Sequence, residues 1–362
     1  MKERNYNIDV LRAMAILLIV LYHSWVQCGS VQFSWSVLNY LIPLGGEIGV
    51  TAFFALSGYG IFCSLQKKEL SESGLSFFSF MKKRFQRVLP QYLMCILVYF
   101  TLMGGDAFNW AGVKNIAAHL LFIHNFFPDF HGAINGVFWT MGVIIQFYIV
   151  AIPLYLGLKK WRGKFAIACL GFTVIMKIVV YHFFLSDYSG VQTYYFIYGR
   201  QLYTALDNFV VGMWVAQHLT GERKTLPLRR TLSGVLLGFV MLLLVCYEGT
   251  AKGIWADSLL GYTWHSLLVL ALVLIAVSFA QIGIDKNNFC VRIFLWISKY
   301  EYGIYVWHLL IINSILSVSP WIWEQINAGR HWMIYAIFMA ISILVGYVMS
   351  IAFDKIKIFA GK

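Results

Sequence analysis

Ten runs of roughly twenty mainly apolar residues leave this chain almost no choice of class. They cover residues 8–28, 44–65, 88–104, 137–158, 165–185, 201–219, 231–249, 259–280, 293–316 and 332–353. A helix of that length spans about 30 Å, the thickness of a bilayer's hydrocarbon core. In lipid, backbone polar groups are satisfied only inside helices or closed barrels, and a barrel would show alternating segments of about ten residues. The expected fold is therefore an all-α polytopic membrane protein. A further apolar piece, 116–127, is too short to cross and reads as re-entrant or interfacial. Composition agrees: 60% of residues are hydrophobic and 12% charged, about half the charged share of a soluble domain.

The net charge of +12 does not point to nucleic acid, because the cations form no patch interleaved with aromatics. They sit in short loops. With the N-terminus in the cytoplasm, 21 of the 28 Lys and Arg fall on that side, and Lys114, Arg200, Lys252 and Arg330 on the other. This is the positive-inside pattern, so both termini are expected in the cytoplasm. Arg12, Lys177 and Lys299 lie within spans. Lys2 and Arg4 precede an apolar run as in a signal peptide, but Asp9 and Arg12 interrupt that run, so it reads as a retained anchor. The six cysteines are scattered and read as packing residues. No repeat or change of composition divides the chain. It reads as a single transmembrane domain, 1–362, with no appended soluble domain, so its function is expected within the bundle.

Arg12 and His23 break the apolar character of the first run. At about 100° per residue their spacing places them on one helix face, about 16 Å apart along the axis. A cation and an imidazole in lipid are costly and are functional candidates for that reason. Arg12 has two readings: it snorkels to the headgroups, paired with Asp9 one turn back, or it faces a ligand. His23 lies about 22 Å into its span, as a polar residue near the outer rim or as a general base.

Four more segments carry candidate chemistry. In 81–90, Arg84 and Arg87 share a helix face ahead of Pro90; they anchor the cytoplasmic end or fork a phosphate. In 298–308, Glu301 and His308 share a face, with His308 at the depth of His23; the alternative there is an interhelical hydrogen bond. The glycine-rich stretch 45–60 includes Glu47, Ser57 and Gly58, and suits close helix packing or a narrow acyl or pantetheine arm. In 135–148, Trp139, Gln146 and Tyr148 are polar handles or packing and anchoring residues. Together they suggest a ligand entering from the cytoplasm, its anionic end on Arg84 and Arg87 and its reactive end near a distant histidine. No metal-type cluster, nucleotide-type glycine loop or GxSxG elbow competes.

In order, these motifs are Asp9-Val-Leu-Arg12 with His23 after ten intervening residues; Gly49-Val-x-x-Phe-Phe-x-Leu-Ser57-Gly58; Arg84-x-x-Arg87-x-x-Pro90; Trp139-Thr, then Gln146-Phe-Tyr148; and Tyr302-Gly-Ile-Tyr-Val-Trp-His308. The chain resembles the acyltransferase-3 family of membrane acyltransferases over nearly its whole length. The resemblance implies ten transmembrane helices in a bacterial cytoplasmic membrane. It also implies an acyl-CoA donor, acetyl-CoA first among them, with transfer to a hydroxyl of a cell-envelope polysaccharide or a small hydroxylated acceptor outside. On that reading His23, Arg12 and His308 are catalytic, His23 as base or transient acyl carrier and His308 orienting the acceptor or stabilising the oxyanion. Arg84, Arg87, Ser57 and Gly58 bind the donor, whose pantetheine arm lies along the first helix. Asp9, Glu47, Trp139, Gln146, Tyr148 and Glu301 are further candidates. The partners are the bilayer, the donor and the acceptor, with a homodimer left open; neither metal nor nucleic acid is expected. One departure stands out. Ile144 occupies the position where the family motif carries a glutamate, a role that is dispensable, lost or supplied elsewhere, for example by Glu47. The rival classes are a non-enzymatic transporter or sensor, which lacks support from repeat symmetry, and the membrane O-acyltransferases that lipidate proteins, which lack these motifs.

Overall fold

The computed structural model describes residues 5–70, 74–103, 108–185, 199–219, 227–251 and 259–360. Of the loop cations counted above, Lys2, Arg4, Arg223, Lys224, Lys252 and Lys362 lie outside the described residues. The helices are α1 (Tyr6–Gln27), α2 (Leu38–Leu41), α3 (Gly45–Glu69), α4 (Phe77–Met103), α5 (Trp110–Leu120), α6 (Trp139–Trp161) and α7 (Gly163–Val180). Then follow α8 (Leu202–Leu219), α9 (Leu228–Ala251), α10 (Leu259–Phe279), α11 (Phe289–Lys299), α12 (Glu301–Val318), α13 (Pro320–Asn327) and α14 (His331–Ala360). No strand occurs among the described residues. Among the described residues, eight helices are long and apolar enough to cross a membrane: α1, α3, α4, α6, α7, α9, α12 and α14. The protein is an all-α polytopic membrane protein. The two other predicted spans are also helical. They are α8, which carries buried Asp207 and Asn208, and α10, whose apolar stretch is Ser266–Phe279.

The ninth predicted span is not one helix. It breaks at Tyr300 (φ −108°, ψ 11°) into α11 and α12, which places Glu301 in the first turn of α12, where a carboxylate meets the positive end of the helix dipole. The fourth helix starts well before its apolar stretch, so Arg84 and Arg87 are part of α4, which continues through Pro90. The short apolar segment forms α5 and a 3₁₀ turn, His124–Phe126. The chain reverses between them at Phe122 (φ 57°).

α1 packs against α3, α11, α12 and α14, and its Ala13, Ile16, Ile19 and Val20 are fully enclosed. The closest approach is between α3 and α8: a side chain at Gly58 would strike the Phe209 carbonyl, and one at Gly212 the Ala55 carbonyl. Small residues let the two backbones meet, which replaces the missing hydrophobic drive between helices in lipid. Lys177, Asp207 and Ser266 join α7, α8 and α10 through a buried ion pair of 3.5 Å, with Ser266 Oγ 2.7 Å from Lys177 Nζ and 2.6 Å from Asp207 Oδ2. Paired in this way, each charge has the partner that its burial requires.

Candidate functional site

Two cavities lie end to end beside α1. The inner one, about 300 Å³, faces the end of the bundle that the charge pattern assigns to the cytoplasm. Its charged lining is Arg12, Arg84, Arg87 and Glu301. Glu301 Oε1 is shared by Arg12 Nη1 at 3.3 Å and Arg87 Nη2 at 3.4 Å, and Arg12 Nη2 also donates to the Leu56 carbonyl at 3.0 Å. The Arg12 side chain is 19% exposed and that of Arg87 54%. Arg84 lies over the rings of Phe80 (5.1 Å) and Tyr148 (5.8 Å). Three guanidiniums against one carboxylate leave a net positive chamber suited to an anion.

The outer cavity, about 250 Å³, is lined by Tyr22, His23, Glu47, Trp139 and Arg200 among others. Arg200 pairs with Glu47 and lies 4.8 Å over the Trp139 ring, whose plane also stacks with His131 at 6.0 Å. Val50 and Tyr305 line both cavities and form the wall between them. Tyr305 Oη donates to the Val137 carbonyl at 2.9 Å and sits 2.6 Å from Thr140 Oγ1, which fixes that wall.

The two histidines meet. His308 Nε2 is 3.2 Å from His23 Nδ1, with the rings 5.0 Å apart. The neighbouring carbonyls assign the tautomers, following the hydrogen-bond network. His308 Nδ1 is 2.8 Å from the Tyr305 carbonyl, which can only accept, so that nitrogen carries the hydrogen and Nε2 is an acceptor. His23 Nδ1 then donates, shared between His308 Nε2 and the Ile19 carbonyl at 2.9 Å. This leaves the lone pair of His23 on Nε2, in a ring that lines the outer cavity.

The expected residues divide on this frame. Arg12, Ser57, Arg84, Arg87, Tyr148 and Glu301 come together around the inner cavity, and His23, Glu47 and Trp139 around the outer one. Five expectations change. Gly58 is spent on the contact with Phe209 and does not line the inner cavity. Gln146 faces away from both cavities and donates to Asn125 Oδ1 at 3.0 Å and the Phe122 carbonyl at 3.3 Å. Asp9 lines neither cavity, and Arg12 turns to Glu301 instead, because Glu301 enters the same chamber from α12. His308 is fully buried beside His23 and lines neither cavity. Glu47 lies in the outer cavity while Ile144 lines the inner one, so Glu47 does not stand in for a carboxylate at 144; the inner carboxylate is Glu301.

Sequence reasoning passed over Arg200, Tyr305 and Thr140. Arg200 had been counted as a loop cation, and only its placement beside Glu47 marks it. Tyr305 stood inside the motif ending at His308 with nothing to separate it from packing aromatics. Among the described residues no group of three or more His, Cys, Asp or Glu is placed to hold a metal.

The sequence profile of the acyltransferase domain family matches residues 5–351. The chain belongs to this acyltransferase family. It is similar to a Staphylococcus aureus (strain COL) protein named "Putative O-acetyltransferase", 27% identical over 86% of this chain and 51% of that protein. It is also similar to the Bacillus subtilis (strain 168) "Putative peptidoglycan O-acetyltransferase YrhL", 25% identical over 84% and 48%. A third relative is O-acetyltransferase OatA of Staphylococcus aureus (strain NCTC 8325 / PS 47), 23% identical over 86% and 51%. This acyltransferase-family chain thus spans about half the length of the curated relatives it matches. No solved structure matches it.

Proposed function

We propose that the protein is a bacterial membrane O-acyltransferase that carries an acyl group, of acetyl size, from cytoplasmic acyl-CoA to a hydroxyl of an extracytoplasmic glycan. The observation that carries this reading is the pair of neighbouring cavities, one net cationic and one holding His23, that share Val50 and Tyr305 in their linings. The donor's phosphates rest on Arg84 and Arg87, and its arm passes Arg12 and Ser57 towards His23. Family membership and the names of the bacterial relatives support the reaction class, and the long apolar helices support a membrane as its place.

The chemistry follows from the tautomers. The acceptor hydroxyl gives its proton to His23 Nε2 as its oxygen bonds to the thioester carbonyl carbon. The tetrahedral intermediate collapses by breaking the C–S bond, and the departing thiolate takes the proton back from His23. While His23 is charged, its Nδ1–H keeps donating to His308 Nε2, so His308 holds the ring in place without touching either substrate. His308 is a positioning residue on this reading, and direct transfer needs no acyl-histidine.

The test is transfer of labelled acetyl from acetyl-CoA to a glycan acceptor by the protein in membranes. His23→Ala is expected to lower kcat by about 10²–10⁴-fold. Full activity in that variant overturns the mechanism, and failure of the unaltered protein to consume acyl-CoA overturns the reading.

A further inference from the structure

The charge balance of the outer cavity carries information about the acceptor that the relatives' names do not. Its only charged lining side chains among the described residues are Glu47 and Arg200, and they are paired with each other. The inner cavity carries three cations against one anion. A charged ligand entering a water-poor chamber needs an opposite charge to replace its hydration. The inner chamber offers two surplus cations. The outer one does not, because an anion approaching Arg200 also approaches the Glu47 carboxylate.

Trp139 does not alter this balance or serve as an open sugar platform. The Arg200 guanidinium lies 4.8 Å over its ring, and the His131 ring is stacked with it at 6.0 Å. Its work is to hold Arg200 flat over the cavity. Arg200 is held from behind as well. The adjoining Gln201 donates to the Asn125 carbonyl at 2.6 Å and accepts from Asn125 Nδ2 at 2.7 Å, and Gln146 on α6 donates to Asn125 Oδ1 at 3.0 Å. Gln201 is 1% exposed and Asn125 fully buried, so the clamp is shielded from water. A guanidinium fixed by stacking, by an ion pair and through its backbone neighbour is preorganised to recognise a ligand.

We infer that the outer cavity takes an uncharged, polyhydroxylated sugar unit, read by Glu47 accepting from its hydroxyls and Arg200 donating to its oxygens, and that it discriminates against acceptors bearing a carboxylate. The inference rests on the acyltransferase reading above and adds the charge class of its acceptor. Glu47 and Arg200 set specificity, while Trp139, Gln201, Asn125 and Gln146 position them.

A matched acceptor pair tests it: the methyl glycoside of N-acetylmuramic acid and its lactyl amide, which differ only in charge. With labelled acetyl-CoA and the full chain in membranes, the unaltered protein is expected to use the amide with kcat/KM about tenfold or more above that for the acid. Glu47→Gln leaves Arg200 uncompensated and should bring that ratio to one or below. Arg200→Gln should raise it further. In both variants the KM for acetyl-CoA should stay unchanged, which also shows that the bundle has folded. A preference of the unaltered protein for the acid, or a ratio that stays fixed in both variants, overturns the inference. Consumption of acetyl-CoA with transfer to neither sugar defeats it while leaving the acyltransferase reading in place. No consumption at all defeats that reading itself.

Discussion

The two cavities are built from the same helices yet solve opposite electrostatic problems. The inner one gathers Arg12, Arg84 and Arg87 around Glu301, with Arg87 half exposed, so its excess charge is paid for by water until a ligand arrives. The outer one keeps a closed ion pair, Glu47 with Arg200, next to a neutral histidine couple. A surplus cation selects an anion and a closed pair rejects one, so two ligands of different charge can meet across the Val50–Tyr305 wall without exchanging places. On the proposed reading, this is how one bundle keeps a polyanionic donor on one side and admits an uncharged acceptor on the other.

The sharpest way to break the contrast is to empty the inner chamber of cations. Arg84→Ala with Arg87→Ala should raise the KM for acyl-CoA by about 10²-fold or more, at roughly 1.5–3 kcal/mol per charged contact, and leave the acceptor KM alone. Steady-state kinetics varying each substrate in turn decide this; an equal rise for both substrates dissolves the division. Next in size is Glu301. Glu301→Gln adds net positive charge but frees Arg12 and Arg87 from the one carboxylate that holds both in place; with the loss of that preorganisation the larger effect, acyl-CoA KM should rise about tenfold. Because Ile144 lines the same chamber, adding Ile144→Glu should recover part of that loss, whereas adding it to an Arg200 variant should recover nothing.

Smaller effects belong to the outer side. Gln146→Ala loosens the clamp on Asn125 and should raise the acceptor KM about threefold to tenfold, with the acyl-CoA KM unchanged. A separate effect, on stability rather than on kinetics, is pH dependent. His119 and His124 stack 4.0 Å apart in and beside α5, both fully buried, and burial pushes their pKa values from 6.5 down to about 3 and about 4. Both stay neutral in the fold where the unfolded chain takes up protons, so stability is full above pH 6.5 and falls as pH drops towards 4. The expected loss is about 1.4 kcal/mol per pH unit for each ring, removed by replacing the histidines. Thermal melts across this range measure it. Since this turn supports Gln201 and Arg200, acceptor binding should weaken in acid before donor binding does.

Much of the site was legible in the chain. Arg12 with His23, and Arg84 with Arg87, follow from helical periodicity, which puts residues at fixed spacing on a known face whatever the surroundings. The similar depth of His23 and His308 followed from counting along two helices of the same direction, and the structure brings the rings together at 3.2 Å. The break at Tyr300 was hidden because the run 293–316 is apolar on both sides of it. Gln146 misled for a related reason: a polar residue in an apolar span must find a partner, but its spacing does not say whether that partner is a ligand or the backbone of a neighbouring turn.

Sequence alone therefore determined the class of the protein, its expected orientation and the helix faces that carry charge, because hydrophobic length, loop cations and the 3.6-residue period act locally along the chain. Which charges cancel was decided only by the tertiary structure. Arg12 chose Glu301 from 289 residues away and Glu47 chose Arg200 from 153 residues away, pairings set by how α1, α3 and α12 and the segment leading into α8 pack. A charge deep in the bundle is tolerated through its nearest opposite charge in space, and that neighbour is a property of the packing.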